Sequence, residues 1–166
     1  MLQAVLLGGK AMAKKKTKKR VFLRDPDGKI AKHWGSKLEK DIEVDNDLLL
    51  TDSLVLFHGM EEGEKGISIK EMIARLSVRD DLQEIGQNNL DWLGLRENQW
   101  RIPWEWHQRN YNLIASGTIW SRINGTELSV ALLWPYFTWS RYTVTLNHTT
   151  LEWPYRILCL DKRKIQ

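Results

Sequence analysis

The sequence predicts an α+β fold: an N-terminal β-hairpin and central helices, a tryptophan-rich antiparallel β-meander after them, and a disordered basic arm in front. Three observations predict it. Six cations fill seven positions in "KKKTKKR", Lys14 to Arg20, where they repel one another and nothing apolar is available to bury. Ile69, Met72, Ile73 and Leu76 recur at helical spacing and give one apolar stripe. From Trp100 onward aromatic and β-branched residues dominate, punctuated by Pro103, Gly117, Asn124-Gly125, Pro135, Asn147 and Pro154, which is strand and turn chemistry. At 166 residues the chain suits one ordinary domain. The expected division is an arm over 1–20 and a domain over 21–166, helical at about 68–92 and sheet at about 100–160.

Taken in order, Val21 to Arg24 reads as a strand, Asp25-Pro26-Asp27-Gly28 as a turn, and Lys29 as the start of a returning strand. A calcium loop would need further ligands and a distal Glu in register, which are absent. Residues 36–50 mix charge with Leu38, Ile42, Val44 and Leu48 to Leu50, so a helix entering a strand and a strand pair both fit. "DSLVLFHG", residues 52–59, reads as a buried strand, and an acidic loop follows. Ser68 and Glu71 have capping-box spacing at the start of the striped helix. A second helix is expected from about Asp80 to Leu90, with Leu82 and Ile85 facing inward and Gly86 weakening it. About five antiparallel strands then follow from Trp100. In "RIPWEWHQRNY", an extended chain would put Trp104 and Trp106 on one face and Glu105 and His107 on the other.

The net charge of +4 conceals a sorted distribution. Residues 1–40 carry an excess of nine positive charges, residues 41–100 an excess of nine negative, and the remainder four positive. No apolar run approaches the roughly 20 residues of a membrane-spanning helix, so no membrane partner is expected. The apolar residues near the start precede the lysines, opposite to a secretory signal. Cys159 is the sole cysteine, which excludes an intramolecular disulfide and a cysteine-built zinc site. A reducing, cytoplasmic setting is expected, or a nuclear one if the host has a nucleus. Asn124-Gly125-Thr126 and Asn147-His148-Thr149 are then turns rather than glycosylation sites.

The residues that point furthest toward function are repeated. Shifting residues 119–137 by nineteen places superposes Trp120 on Trp139, Ser121 on Ser140, Arg122 on Arg141, Thr126 on Thr145 and Leu132 on Leu151. Trp134, Pro135 and Tyr136 fall on Trp153, Pro154 and Tyr155. The turn signals Asn124-Gly125 and Asn147-His148 do not align at that offset, and two copies are too few for a solenoid. In a strand, residues i and i+2 share a face, so Trp120 with Arg122, and Trp139 with Arg141, are expected to project together. Such a surface serves as a packing ladder, a platform on which bases stack, or an anchor for another protein. Most of nine tryptophans in a chain this small must be core.

No phosphate-binding loop, dinucleotide fingerprint, nucleophile elbow or zinc-protease motif occurs, and the histidines stand singly at 33, 58, 107 and 148. No cofactor or metal is expected. Arg79, Asp80, Gln83, Glu84 and Gly86 resemble the helical half of the Nudix box of pyrophosphate hydrolases, whose helix carboxylates hold magnesium. Asp81 stands where that family has an apolar residue and the loop-to-helix spacing differs, so the likeness is read as accidental. A helix-turn-helix over the same segment fails because Asp80, Asp81 and Glu84 would face phosphates.

The leading expectation is a non-enzymatic nucleic-acid-associated protein, a structural component of a viral, phage or ribosome-like nucleoprotein assembly. Lys14, Lys15, Lys16, Lys18, Lys19 and Arg20 would grip phosphates without sequence preference. Trp120, Arg122, Trp139 and Arg141 would meet bases and phosphates of RNA or a single strand. The alternatives are an assembly module that contacts other protein subunits through an aromatic sheet face, and a nucleotide hydrolase built on the Nudix-like segment.

Overall fold

The computed structural model describes residues 36–122, 127–151 and 153–165. The basic arm and the hairpin expected at residues 21 onward lie outside the described residues. The fold is α+β, with a seven-stranded sheet whose central path runs β2 (Leu54–Phe57), β7 (Tyr155–Asp161), β4 (Asn112–Arg122), β5 (Leu128–Pro135) and β6 (Trp139–Thr145).

The sheet is assembled around β4 (Asn112–Arg122). β4, β5 (Leu128–Pro135) and β6 (Trp139–Thr145) are antiparallel neighbours, in a register that sets Ile114 against Leu132 and Leu132 against Tyr142. These three strands are the expected meander. β7 (Tyr155–Asp161) departs from it, because it pairs with β4 in parallel, Asn112 opposite Tyr155 and Ile114 opposite Ile157. Two antiparallel steps make β6 parallel to β4 as well. The chain between β6 and β7, residues 146–154, therefore has to travel the length of the sheet before β7 can begin.

The remaining strands fill the margins. β2 (Leu54–Phe57) covers the outer flank of β7, and β3 (Leu82–Glu84) pairs with the second half of β7. β1 (Ser36–Asp41) pairs with the second half of β4. Of the two readings of residues 36–50, the strand is therefore the observed one, followed by a 3-10 turn at Asn46–Leu48 that Asp45 caps. Gly117 is the point where the margins meet. Its N–H donates to the carbonyl of Ile85 at 2.8 Å and its carbonyl accepts from the N–H of Ile42 at 2.7 Å. A Cβ there would stand 2.4 Å from the carbonyl oxygen of Ile42 and 2.5 Å from that of Ile85, so only glycine fits between the two segments.

Alternation along the strands divides the core in two. One face packs Ile114, Val130, Leu132, Val144 and Ile157 against α1 (Ile69–Leu76), whose buried residues are the expected stripe of Ile69, Met72, Ile73 and Leu76. The other face packs Leu113, Ala131, Leu133 and Leu158 against Leu90 and Leu93 of α2 (Gln87–Leu93). A buried Leu or Ile contributes roughly 1.5–3 kcal/mol, against about 0–1 kcal/mol for an exposed ion pair. The two apolar layers, rather than the surface charges, hold the sheet.

Ser68 Oγ accepts from the N–H of Glu71 at 3.0 Å, as its spacing predicts. The N–H groups of Ile69 and Lys70 donate to the carbonyls of His148 and Leu146, at 2.8 and 2.9 Å, while Thr150 N–H donates to the carbonyl of Ile67 at 3.0 Å. The start of α1 thus fastens the segment that leads from β6 to β7.

Two local expectations are corrected. Residues 80–90 are not one helix. Leu82–Glu84 pair with β7, and Gly86 is the N-cap of α2 rather than a weak point inside a helix. A Cβ on Gly86 would fall 2.4 Å from the carbonyl oxygen of Ile42, and Asn89 Oδ1 receives the Gly86 N–H at 3.0 Å. Tertiary pairing overrides the helical propensity of the segment. Strands also begin at Asn112, not Trp100. Residues Arg96–Arg101 form a 3-10 helix and Trp104–Gln108 form α3, entered through Pro103 at φ −54°. Trp104 consequently stacks on His107, three residues along, at 4.5 Å, rather than sharing a strand face with Trp106.

Candidate functional site

The residues expected to bind nucleic acid are distributed unevenly. Lys14, Lys15, Lys16, Lys18, Lys19 and Arg20 lie outside the described residues, and Arg122 closes β4 without a described side chain. Trp120 is 1 % exposed, with its indole Nε1 donating to Gln87 Oε1 at 2.9 Å. Trp139 is 6 % exposed and meets the ring of His107 edge to face at 5.4 Å. Arg141 Nε lies 3.1 Å from Asp91 Oδ1 on α2. The solvent-facing Trp/Arg surface expected of Trp120 and Trp139 is therefore not present. The alternation rule places Trp139 and Arg141 on one face as expected, but that face is roofed by α2 and residues 96–108. Both indoles work as core.

Exposed aromatic rings gather on the other face, at the end that α1 leaves open. Asn112 is opposite Tyr155 on β7, and continuing the register of Leu113 with Leu133 by one residue brings Trp134 to its other side. The adjacent row holds Ile114, Leu132 and Tyr142. Trp153 and His148, both on the segment between β6 and β7, complete a groove of about 300 Å³. Trp134 stacks on Tyr136 at 5.0 Å and 11° and meets Tyr142 edge-on at 5.2 Å; Tyr136 in turn contacts Phe137 at 4.2 Å. Aromatic pairs of this kind are worth about 0.5–1.5 kcal/mol beyond their buried area, so they hold exposed rings in place before a ligand arrives. Tyr142 and Trp153 remain about half exposed.

The lining is polar only at a few points and carries no carboxylate. In a chain whose residues 41–100 are strongly acidic, this matters for anionic ligands. Asn112 is 4 % exposed, and its carboxamide makes no hydrogen bond among the described residues. The repeat had drawn attention to Trp134, Tyr136, Trp153 and Tyr155, but Asn112, Tyr142 and His148 were missed. Tyr142 alternates with Val144 in "RYTVT" and so was legible as a face residue; Asn112 and His148 left no local signal.

The charged clusters elsewhere are structural. Lys40 Nζ and Ser116 Oγ both bond Glu84 Oε2, at 2.6 and 2.7 Å. The segment resembling a Nudix helix is thus a strand whose carboxylate is committed to internal partners. Arg75 donates to Glu64, Glu71 and the carbonyl of Gly59. Arg101 lies over the rings of Trp92 and Trp100, at 4.9 and 4.7 Å. Burial pushes the Cys159 thiol well above its ordinary pKa. Among the described residues no three of His, Cys, Asp or Glu approach closely enough to hold a metal ion, and no helix is long and apolar enough to cross a membrane.

Comparison of the chain with protein-family models, with curated proteins and with solved structures finds no match in any of the three.

Proposed function

We propose that the chain is a non-enzymatic protein that binds single-stranded nucleic acid, RNA foremost, within a viral, phage or ribosome-like nucleoprotein assembly in a cytoplasmic setting. The supporting observation is the open groove of aromatic rings without a carboxylate in its lining. Base stacking on such rings contributes about 1–3 kcal/mol per base and tolerates any sequence, since every base has a π-face. The six cations of Lys14 to Arg20 supply the phosphate contacts that the neutral groove lacks.

The two contributions separate in one experiment, binding of a labelled oligoribonucleotide followed by anisotropy across a salt series. Deleting residues 13–20 lowers affinity and flattens the slope of log K against log salt by about 4, at roughly 0.7 per single-strand phosphate contact. Tyr142→Ala and Trp153→Ala lower affinity at every salt concentration and leave the slope alone. If the deletion changes neither slope nor affinity and both ring variants bind as tightly as the parent, the reading fails.

A second reading has its own observation. Trp100 and Trp104 are largely exposed beside Leu95, with Arg101 held between two indoles, and Trp and Arg are the residues most enriched at protein-binding hot spots. Self-association in high salt without nucleic acid, measured by sedimentation, supports an assembly module instead; a monomer under those conditions counts against it.

A further inference from the structure

We infer that the groove contains a base-selective subsite in which the carboxamide of Asn112 reads the edge of one unpaired adenine; the inference rests on the nucleic-acid reading above and makes one position of an otherwise tolerant site specific. Asn112 has three properties that together separate it from an ordinary strand residue. It shares a face with Ile114, two residues on, and so turns toward the open groove rather than toward α2. It is only 4 % exposed, yet its amide makes no hydrogen bond to the described residues. It stands in a cross-strand row between Tyr155 and Trp134, so aromatic surface flanks it on both sides.

An amide that meets solvent only through the groove has its donors and its acceptor free for a ligand that offers both a donor and an acceptor. A hydrocarbon or a proline ring would fill the groove but leave the amide unanswered. A nucleobase answers it. The Asn carbonyl accepts from the N6 amine of adenine while the Asn N–H donates to the neighbouring ring nitrogen, a bidentate pair that discriminates strongly against bases with the wrong edge. The bicyclic purine also overlaps more of Tyr142 and Trp153 than a pyrimidine does. Backbone placement is secure without the side chain, because Asn112 N–H already donates to the carbonyl of Pro154 at 3.1 Å.

The test uses the full-length protein and short oligouridylates carrying a single central A, G, C or U. The A-containing strand is expected to bind about tenfold or more tightly than the all-U strand. Replacing that adenine by purine, which lacks the N6 amine, should abolish the advantage on the unmodified protein, so the result does not depend on a variant folding. Asn112→Ala should bind all four strands alike, at the affinity the parent shows for uridine. Asn112→Asp, which keeps an acceptor and loses the donors, should shift preference from adenine toward cytosine. Binding without base preference, an equal preference for guanine, a purine strand that binds like the adenine strand, or a preference that survives in folded Asn112→Ala overturns this inference and leaves the nucleic-acid reading standing. Failure to bind any of the four strands overturns both.

Discussion

Residues 120–136 and 139–155 begin with the same Trp-Ser-Arg and end with the same Trp-Pro-Tyr, yet the fold uses them differently. The first forms the end of β4 and the whole of β5, an antiparallel hairpin, while the second forms β6, the connecting segment and the first residue of β7. Their opening tryptophans share a fate, since both are buried. Their closing tripeptides do not. Tyr136 stands in a turn at 56 % exposure, whereas Tyr155 begins a strand at 5 %; Trp134 is a strand residue partly covered by neighbours, whereas Trp153 stands off the sheet at 54 %. A tripeptide sets which side chains alternate, but topology decides what covers them. The parallel return to β7 carries the second tripeptide onto the sheet face, where Tyr155 becomes floor and Trp153 becomes wall of the groove.

The contrast is open to direct attack. The largest effect should come from Trp120→Ala, which removes a fully buried indole and its hydrogen bond to Gln87 Oε1; a loss of about 3–5 kcal/mol is expected in urea unfolding. Trp153→Ala should cost under about 1 kcal/mol of stability while weakening oligonucleotide binding by about 1–3 kcal/mol. Equal destabilisation by the two variants would refute the division between core and groove. The closing tyrosines sharpen it. Tyr155→Ala should cost about 3 kcal/mol and Tyr136→Ala under about 1 kcal/mol, read as a difference in melting temperature.

Much of the fold was legible where one local rule sufficed. The Ser68 cap, the stripe of α1, the strand at Leu54–Phe57 and the three-strand meander follow from spacing, alternation and turn residues. What escaped depends on distant partners. Leu82–Glu84 has helical neighbours in sequence and becomes a strand only because β7 offers an edge; Trp104 lies among strand-forming residues and becomes helical after Pro103. The candidate site was half legible. The repeat identified aromatic residues that do reach the groove, but it gave the leading role to Trp120 and Trp139, because alternation assigns residues to a face without saying which face a helix will cover. Asn112 acquires its place only from the parallel pairing of β4 with β7, which nothing in its own surroundings announces.

The smallest predicted effect concerns the loop between β2 and α1. There Arg75 of α1 holds the preceding loop, its Nη1 and Nη2 donating to Glu64 Oε1 and Oε2 at 2.5 and 2.7 Å and its Nη1 also to the Gly59 carbonyl at 2.8 Å. Those charged hydrogen bonds depress the Glu64 carboxyl from 4.5 to about 2. The native state thus binds fewer protons at Glu64 than the unfolded chain between those values, and stability must fall as protons are added. The contribution is complete above about pH 4.5 and disappears as pH drops through about 2. Glu64→Gln should flatten the dependence of urea midpoints on pH across that window and leave midpoints near neutrality changed only slightly, since the pair is partly solvated and screened by salt. Because Glu64 is not among the residues lining the groove, the same variant should bind oligonucleotides as the parent does at pH 7. A Glu64→Gln protein that keeps the full acid slope would show that the loop is held by its backbone contacts and the packing beneath α1, with the ion pair incidental.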